Sequence, residues 1–264
     1  MNILWRRKYP GFFSCLRRDR VDPIEEFKLE RKRRVGAMSN DIELQKQSLE
    51  WMINADKHKY TYNFTWLGRP IIKFPNDIVA MQEIIWEVKP DLIIETGIAH
   101  GGSIIFSASM LELIGGDGQV VAVDIDIRKH NLREIQAHPM YKRIILIEGD
   151  SVSSEVATQV KMIAKNKTKI MVFLDSLHTH GHVKKELELY SPLVTVGSYL
   201  VLPDTFIEFF PKGYYSNRPW DVGNNPMTAL REFLVTNNNF MIDKERTSKL
   251  LITEAFDGFL KKIK

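Results

Sequence analysis

Five short apolar runs, each ending in a carboxylate or a glycine and each separated from the next by a helical pattern, constrain this chain more than any other feature. They cover residues 91–95, 119–123, 144–147, 169–174 and 198–202. Runs this short, rich in Val, Ile and Leu and without polar alternation, are the pattern of strands buried on both faces. Helical patterns over 103–113, 129–136, 156–163 and 183–190 lie between them. Strands alternating with helices imply parallel pairing and helices on both sides of the sheet. The expected fold is therefore α/β, a doubly wound, mostly parallel, Rossmann-like sheet with an N-terminal helical extension.

The flanks are less regular. Apolar residues at helical spacing run over 24–60, with a break expected near Gly36. Asp77 reads as the N-cap of a helix carrying Ile78, Met81, Ile84, Ile85 and Val88 on one face. A helix over 228–235 and closing strands at 249–253 and 258–260 complete the reading. The organisation expected is a basic arm and helical extension over 1–59, then one domain over 60–264.

Charge separates the two parts. Residues 1–35 carry eleven basic and five acidic side chains, a net of +6, which leaves −2 for the rest of a chain whose total is +4. A basic arm holding Trp5, Phe12, Phe13 and Leu16 suits an oligomer contact or peripheral attachment to an anionic membrane face. The acidic remainder argues against a nucleic-acid enzyme. Cys15 is the only cysteine, which excludes a disulfide framework and a multi-cysteine zinc site and makes a cytoplasmic setting the expectation. No stretch approaches the roughly 20 apolar residues of a spanning helix.

In such a sheet ligands bind beyond the carboxyl ends of the strands, where strand order reverses. The tips here are Glu95/Gly97, Asp124, Gly149/Asp150, Asp175 and Asp204, and five in succession mark one polar edge. Glu95-Thr-Gly97-Ile-Ala-His-Gly101-Gly102-Ser103 is a glycine-rich strand-to-helix turn. Its G-x-x-x-G-G spacing departs from the dinucleotide fingerprint, and it lacks a P-loop lysine. It suits a nucleoside cofactor without a pyrophosphate, S-adenosylmethionine (SAM). Asp124 is placed to accept both hydrogen bonds of a ribose diol. Asp150 and Ser151 are expected to border the adenine.

Asp175-Ser-Leu-His178-Thr-His180-Gly-His182, with Asp204 beyond the next strand, is the sharpest cluster. Two carboxylates on neighbouring tips form a hard-oxygen half-site for Mg²⁺, with Thr205 as a further donor. His178 is the candidate base. Three histidines in five residues leave a second reading open, a non-haem iron hydroxylase with a histidine pair and a carboxylate. His178 and His182 would then need a helical segment, against which Gly181 argues. The aromatic loop from Phe206 to Trp220 reads as a lid over a sugar or ring-bearing acceptor, or as an oligomer contact.

Several motifs occur together in order: Trp66-Leu-Gly-Arg-Pro70, Pro75-Asn-Asp77, residues 91–103, Asp175-Ser-x-His178-Thr, Glu186-Leu-x-x-Tyr190, Gly197-Ser-Tyr-Leu-Val, Asp204-Thr205, Asn225-Pro226 and Gly258-Phe-Leu260. Over roughly residues 60–264 this set resembles the cephalosporin hydroxylase family. Despite its name, that family looks like a group of SAM- and Mg²⁺-dependent methyltransferases, including the cephamycin-biosynthesis methyltransferase component and rhamnosyl O-methyltransferases. The resemblance implies SAM along Gly97, Gly101, Gly102 and Ser103, ribose at Asp124, and metal at Asp175 and Asp204. It also implies O-methylation of a sugar in a bacterial surface glycan, glycolipid or secondary metabolite. One departure stands out: the family often shows Glu-Asp-Thr where this chain has Pro203-Asp204-Thr205, which takes a carboxylate from the metal site. A third reading, a SAM-fold scaffold that binds without chemistry, is compatible with that proline.

Overall fold

The computed structural model describes residues 22–264. The residues of the expected basic arm up to position 21, Trp5, Phe12, Phe13 and Leu16 among them, lie outside this range. Helix α1 (Pro23–Asn40) is capped by the Asp22 side chain and runs through Gly36 without interruption. The break comes at Asp41, which ends α1 and whose carboxylate caps α2 (Ile42–Asp56). An aspartate can end one helix and open the next because its side chain replaces the missing N–H acceptor. A short hairpin, β1 (Thr65–Trp66) and β2 (Arg69–Pro70), leads to α3 (Pro75–Val88). Pro75 takes the first helical position, so Asp77 is not the N-cap; it lies buried in the first turn.

The expected alternation follows: β3 (Leu92–Thr96), α4 (Gly102–Ile114), β4 (Gln119–Asp124), α5 (Lys129–Gln136), β5 (Ile144–Glu148), α6 (Ser154–Ala164), β6 (Ile170–Leu174), α7 (His180–Tyr190) and β7 (Tyr199–Val201). After the aromatic loop come α8 (Pro226–Thr236), β8 (Phe240–Ile242), α9 (Lys244–Leu250) and β9 (Phe259–Lys262). The strand expected at 249–253 is absent: Lys249 and Leu250 finish α9, and Leu251 turns through a left-handed φ of +59°. The edge strand β8 had no clear signal of its own.

The sheet order is β5-β4-β3-β6-β7-β9-β8, with β9 alone antiparallel. Strand period decides the two cores. Ile93, Val120, Ala122, Met171 and Phe173 face α3 and α4, whose Ile84, Ile85, Ile104, Ile105 and Phe106 join them in one cluster. Leu92, Ile94, Val121, Val172 and Leu174 face the other way, onto Val160 of α6, Leu187 of α7 and Leu230 of α8. Strand order reverses between β3 and β6, so a crevice opens above their tips at Gly97 and Asp175. Among the described residues no helix is long and apolar enough to cross a membrane.

Candidate active site

That crevice is the mouth of a cavity of about 580 Å³. One side is backbone. Gly97 follows β3 with φ +79°, and its N–H donates to the carbonyl of Val123 at 2.8 Å. A methyl group at Gly97 would lie 2.0 Å from the carbonyl oxygen of Asp175, and one at Gly102 would lie 2.1 Å from that of Pro70. Both positions are close approaches of chain to chain that only glycine allows. Gly101 sits at the N-cap of α4, and Ser103 is buried in the first turn. Glu95 is also buried, accepting the Ser103 hydroxyl, and is not part of the cavity wall. Burial pushes its carboxyl up to about 7.

Asp124 does line the cavity. Its Oδ2 accepts the N–H of Ile98 at 2.8 Å and its Oδ1 that of Asp126 at 3.0 Å. These bonds fix the carboxylate to the glycine turn and leave each oxygen capacity for one more donor. Asp150 and Ser151 are outside the wall. Asp150 Oδ1 accepts the N–H of Val152, and the hydroxyl of buried Ser151 is 3.1 Å from His182 Nε2.

The opposite side is acidic. Asp175, His178 and Asp204 each present a donor atom within 4.8 Å of the others. Asp204 reaches this position because it turns through φ +58° shortly after β7. His178 Nδ1 is 3.6 Å from Asp204 Oδ2, beyond a direct hydrogen bond, and the His178 ring meets Trp220 edge to face at 4.7 Å. Burial lowers the His178 pKa, although Asp175 and Glu186 pull it upward. The imidazole is therefore neutral at neutral pH. Burial and the charge of Asp175 push Asp204 well above the usual carboxylate range. Thr205 does not join the cluster: it is fully buried, with its hydroxyl donating to the carbonyl of Glu254 at 3.3 Å.

The three histidines separate. Gly181 is helical after all, and α7 carries His180 and His182 but not His178. His180 bonds Thr228 and Glu232 at 2.9 Å each, on the α8 side. His182 lies between Ser151 and Ser176. Among the described residues only His178 meets the carboxylate pair, which removes the histidine pair that an iron hydroxylase needs.

Two residues central to the site carried no clear sequence signal. Lys73, 4% exposed, donates to Asp175 Oδ2 at 3.0 Å and to Glu254 at 2.5 Å. Burial opposes its charge, but Asp175 and Glu254 more than offset this and hold the ammonium protonated. Burial also raises Glu254 well above the usual range, against the pull of Lys73. The knot thus holds more buried carboxylate than Lys73 alone can neutralise. The carboxylate pair Asp175 and Asp204, with carboxylate in excess around it, fits a hard divalent cation, and His178 stands beside that pair.

The rest of the wall is aromatic. Tyr62, Phe210, Tyr215 and Trp220 line it, with Arg218 stacked 5.3 Å above the Trp220 ring. The loop that carries the last three is tied down: Glu208 accepts the N–H of Gly223 and the side chains of Asn225 and Arg231. Asn225 and Thr228 close a capping box at the start of α8.

The family model described as rhamnosyl O-methyltransferase/CmcI matches residues 58–263. The chain belongs to that family. Membership makes it an enzyme of the SAM-dependent O-methyltransferase class. Except for Asp56, every residue lining the cavity falls inside the matched range. A rhamnosyl O-methyltransferase of Mycobacterium leprae (strain TN) is 34% identical over 220 residues, 79% of this chain and 90% of that protein. One of Mycobacterium tuberculosis (strain ATCC 25618 / H37Rv) is 31% identical over 214 residues, 77% and 82% of the two chains. Among solved structures, CmcI without ligand superposes with a TM-score of 0.52 at 18% identity, covering 77% of each chain. The Mg-SAM form of CmcI gives 0.51 at 17% identity, covering 77% of this chain and 78% of that one. The shared architecture is the class I SAM-dependent methyltransferase fold.

Proposed function

We propose that this chain moves the methyl group of SAM to a hydroxyl of a sugar in a glycan, glycolipid or secondary metabolite, assisted by Mg²⁺. One observation carries the reading. A glycine turn with a fixed carboxylate, Asp124, and a compact Asp175–His178–Asp204 cluster face the same cavity beside an aromatic wall. The mycobacterial relatives act on a rhamnosyl acceptor, and CmcI has been solved with Mg and SAM together, which supports both halves of the reading.

Asp124 would hold the ribose, and Gly97 and Gly102, by letting the turn pack against the backbone of Asp175 and Pro70, would shape the wall on which the cofactor lies. Asp175 and Asp204 would hold the ion, with substrate oxygens and water in place of the carboxylate that Pro203 removes. When bound, the cofactor supplies an electrophilic methyl group and the ion supplies acidity to the hydroxyl it contacts. His178, neutral and with Nδ1 turned toward Asp204, would take the hydroxyl proton at Nε2 as the methyl group's bond to sulfur is exchanged for one to the hydroxyl oxygen. Tyr62, Tyr215 and Trp220 offer ring faces to the acceptor and exclude water, so that rate comes largely from alignment.

The test is calorimetric titration of the full chain with S-adenosylhomocysteine, alongside transfer of labelled methyl from SAM to rhamnose-bearing glycolipid. Asp124→Ala should weaken nucleoside binding by roughly tenfold or more, as expected for loss of a charge-assisted pair of hydrogen bonds. Asp175→Ala should abolish the effect of Mg²⁺ on turnover. Absence of nucleoside binding by the native chain would sink the reading. Binding without transfer to any sugar acceptor would overturn the assignment of a sugar hydroxyl as the acceptor.

A further inference from the structure

Lys73 occupies an unusual place for a lysine. It follows the β1–β2 hairpin, lines the cavity wall, and buries its ammonium between Asp175 at the tip of β6 and Glu254 ahead of β9. Glu254 is itself fixed. Its N–H donates to Asp77 Oδ2 at 2.9 Å, and the neighbouring Thr253 hydroxyl donates to Asp77 Oδ1. The first turn of α3 therefore anchors the glutamate, the glutamate anchors the lysine, and the lysine anchors one oxygen of Asp175.

Three carboxylates, Asp175, Asp204 and Glu254, face one ammonium, with Asp77 behind Glu254, so carboxylate is in excess and a divalent ion would draw these groups toward their ionised forms. A carboxylate already bonded to an ammonium is a weaker ligand, because part of its charge is met. Partners behind a metal ligand both orient it and tune its affinity.

We propose that Lys73 is the resident cation of the metal half-site, a counterweight pinned by Glu254 that orients Asp175 and keeps the bound ion exchangeable. It is a positioning residue, since its contacts are to Asp175 and Glu254 and not to the reacting atoms. The proposal rests on the Mg²⁺ reading above, and its signature is the sign of the affinity change. A lysine that merely props the wall would weaken metal binding when removed; a counterweight strengthens it.

The experiment is titration of the chelator-stripped full chain with Mg²⁺ alone, in the native form, Lys73→Gln and Glu254→Gln. S-adenosylhomocysteine is titrated into each without metal to verify the cofactor side of the cavity. Lys73→Gln should bind Mg²⁺ about tenfold more tightly, the effect of one unit charge a few ångströms from a divalent ion even under nearly water-like screening. Glu254→Gln, which keeps an oxygen for Lys73 but removes a charge, should bind it more weakly by a similar factor. Nucleoside affinity should hold in all three. Weaker or unchanged Mg²⁺ binding in Lys73→Gln, with nucleoside binding retained, overturns the proposal alone. No Mg²⁺ binding by the native chain overturns the metal reading and this proposal with it. If Lys73→Gln does not fold, unchanged or tighter binding in Glu254→Gln is the overturning result.

Discussion

Glu95 stores a pH-dependent cost that can be measured without any assay of activity. It lies near the end of β3, 2% exposed, with Oε1 accepting the Ser103 hydroxyl and Oε2 without a partner among the described residues. Burial raises its carboxyl from 4.5 to about 7; the Ser103 bond and the Lys73 charge oppose the rise, and the Asp175 charge adds to it. Between those two values the folded chain keeps a proton that the unfolded chain has released. Stability from this group is complete below about pH 4.5 and is lost as the pH rises through about 7. At about 1.36 kcal/mol for each pH unit, the loss comes to about 3 kcal/mol. Glu95→Gln retains the shape and an oxygen for Ser103 but cannot ionise. Urea unfolding of the chelator-treated chain should therefore give similar stabilities for the two proteins near about pH 4.5. By about pH 8 the variant should lead by about 3 kcal/mol. Asp77, which burial raises to about 6, is present in both proteins and drops out of the difference. A gap between the two proteins that stays constant across this pH range would refute the reasoning.

Further outcomes follow for Gly102 and His178. Gly102→Ala would drive a methyl group into the backbone of Pro70 and Ile71, so chemical unfolding should show a loss of about 3 kcal/mol. The same variant should bind S-adenosylhomocysteine poorly, because the hairpin and the glycine turn must move apart. Burial holds His178 below its ordinary 6.5, so the acid limb of kcat/KM should lie below that value, with activity lost as the pH falls through it. His178→Ala should lower kcat by a factor on the order of 10² to 10⁴ while leaving nucleoside affinity unchanged, as read by turnover and calorimetry together.

The strands of the parallel sheet were legible because a doubly covered strand must be apolar on both faces, and the runs at 91–95, 119–123, 144–147, 169–174 and 198–202 meet that demand locally. The same local logic put Asp124, Asp175 and Asp204 on one edge, since a parallel sheet sends every carboxyl end the same way. The glycine turn was legible too, because close backbone approach needs glycine wherever it occurs. Tertiary structure alone decided the partners. Lys73 lies 102 residues from Asp175 and 181 from Glu254, and no periodicity in the chain relates such positions. Asp77 has the residue type and place of a cap, yet Thr253 and Glu254 spend their polar groups on it. That pairing also explains why the apolar run at 249–253 is no strand: the end of the segment is bonded to a helix turn rather than to a sheet neighbour. The histidines divide for a similar reason, His178 falling ahead of α7 beside Asp204 while His180 and His182 turn to α8 and to Ser151 and Ser176. Side-chain period fixes which face of an element a residue occupies; which distant group meets it there depends on sheet order, and that is settled only when the whole chain packs.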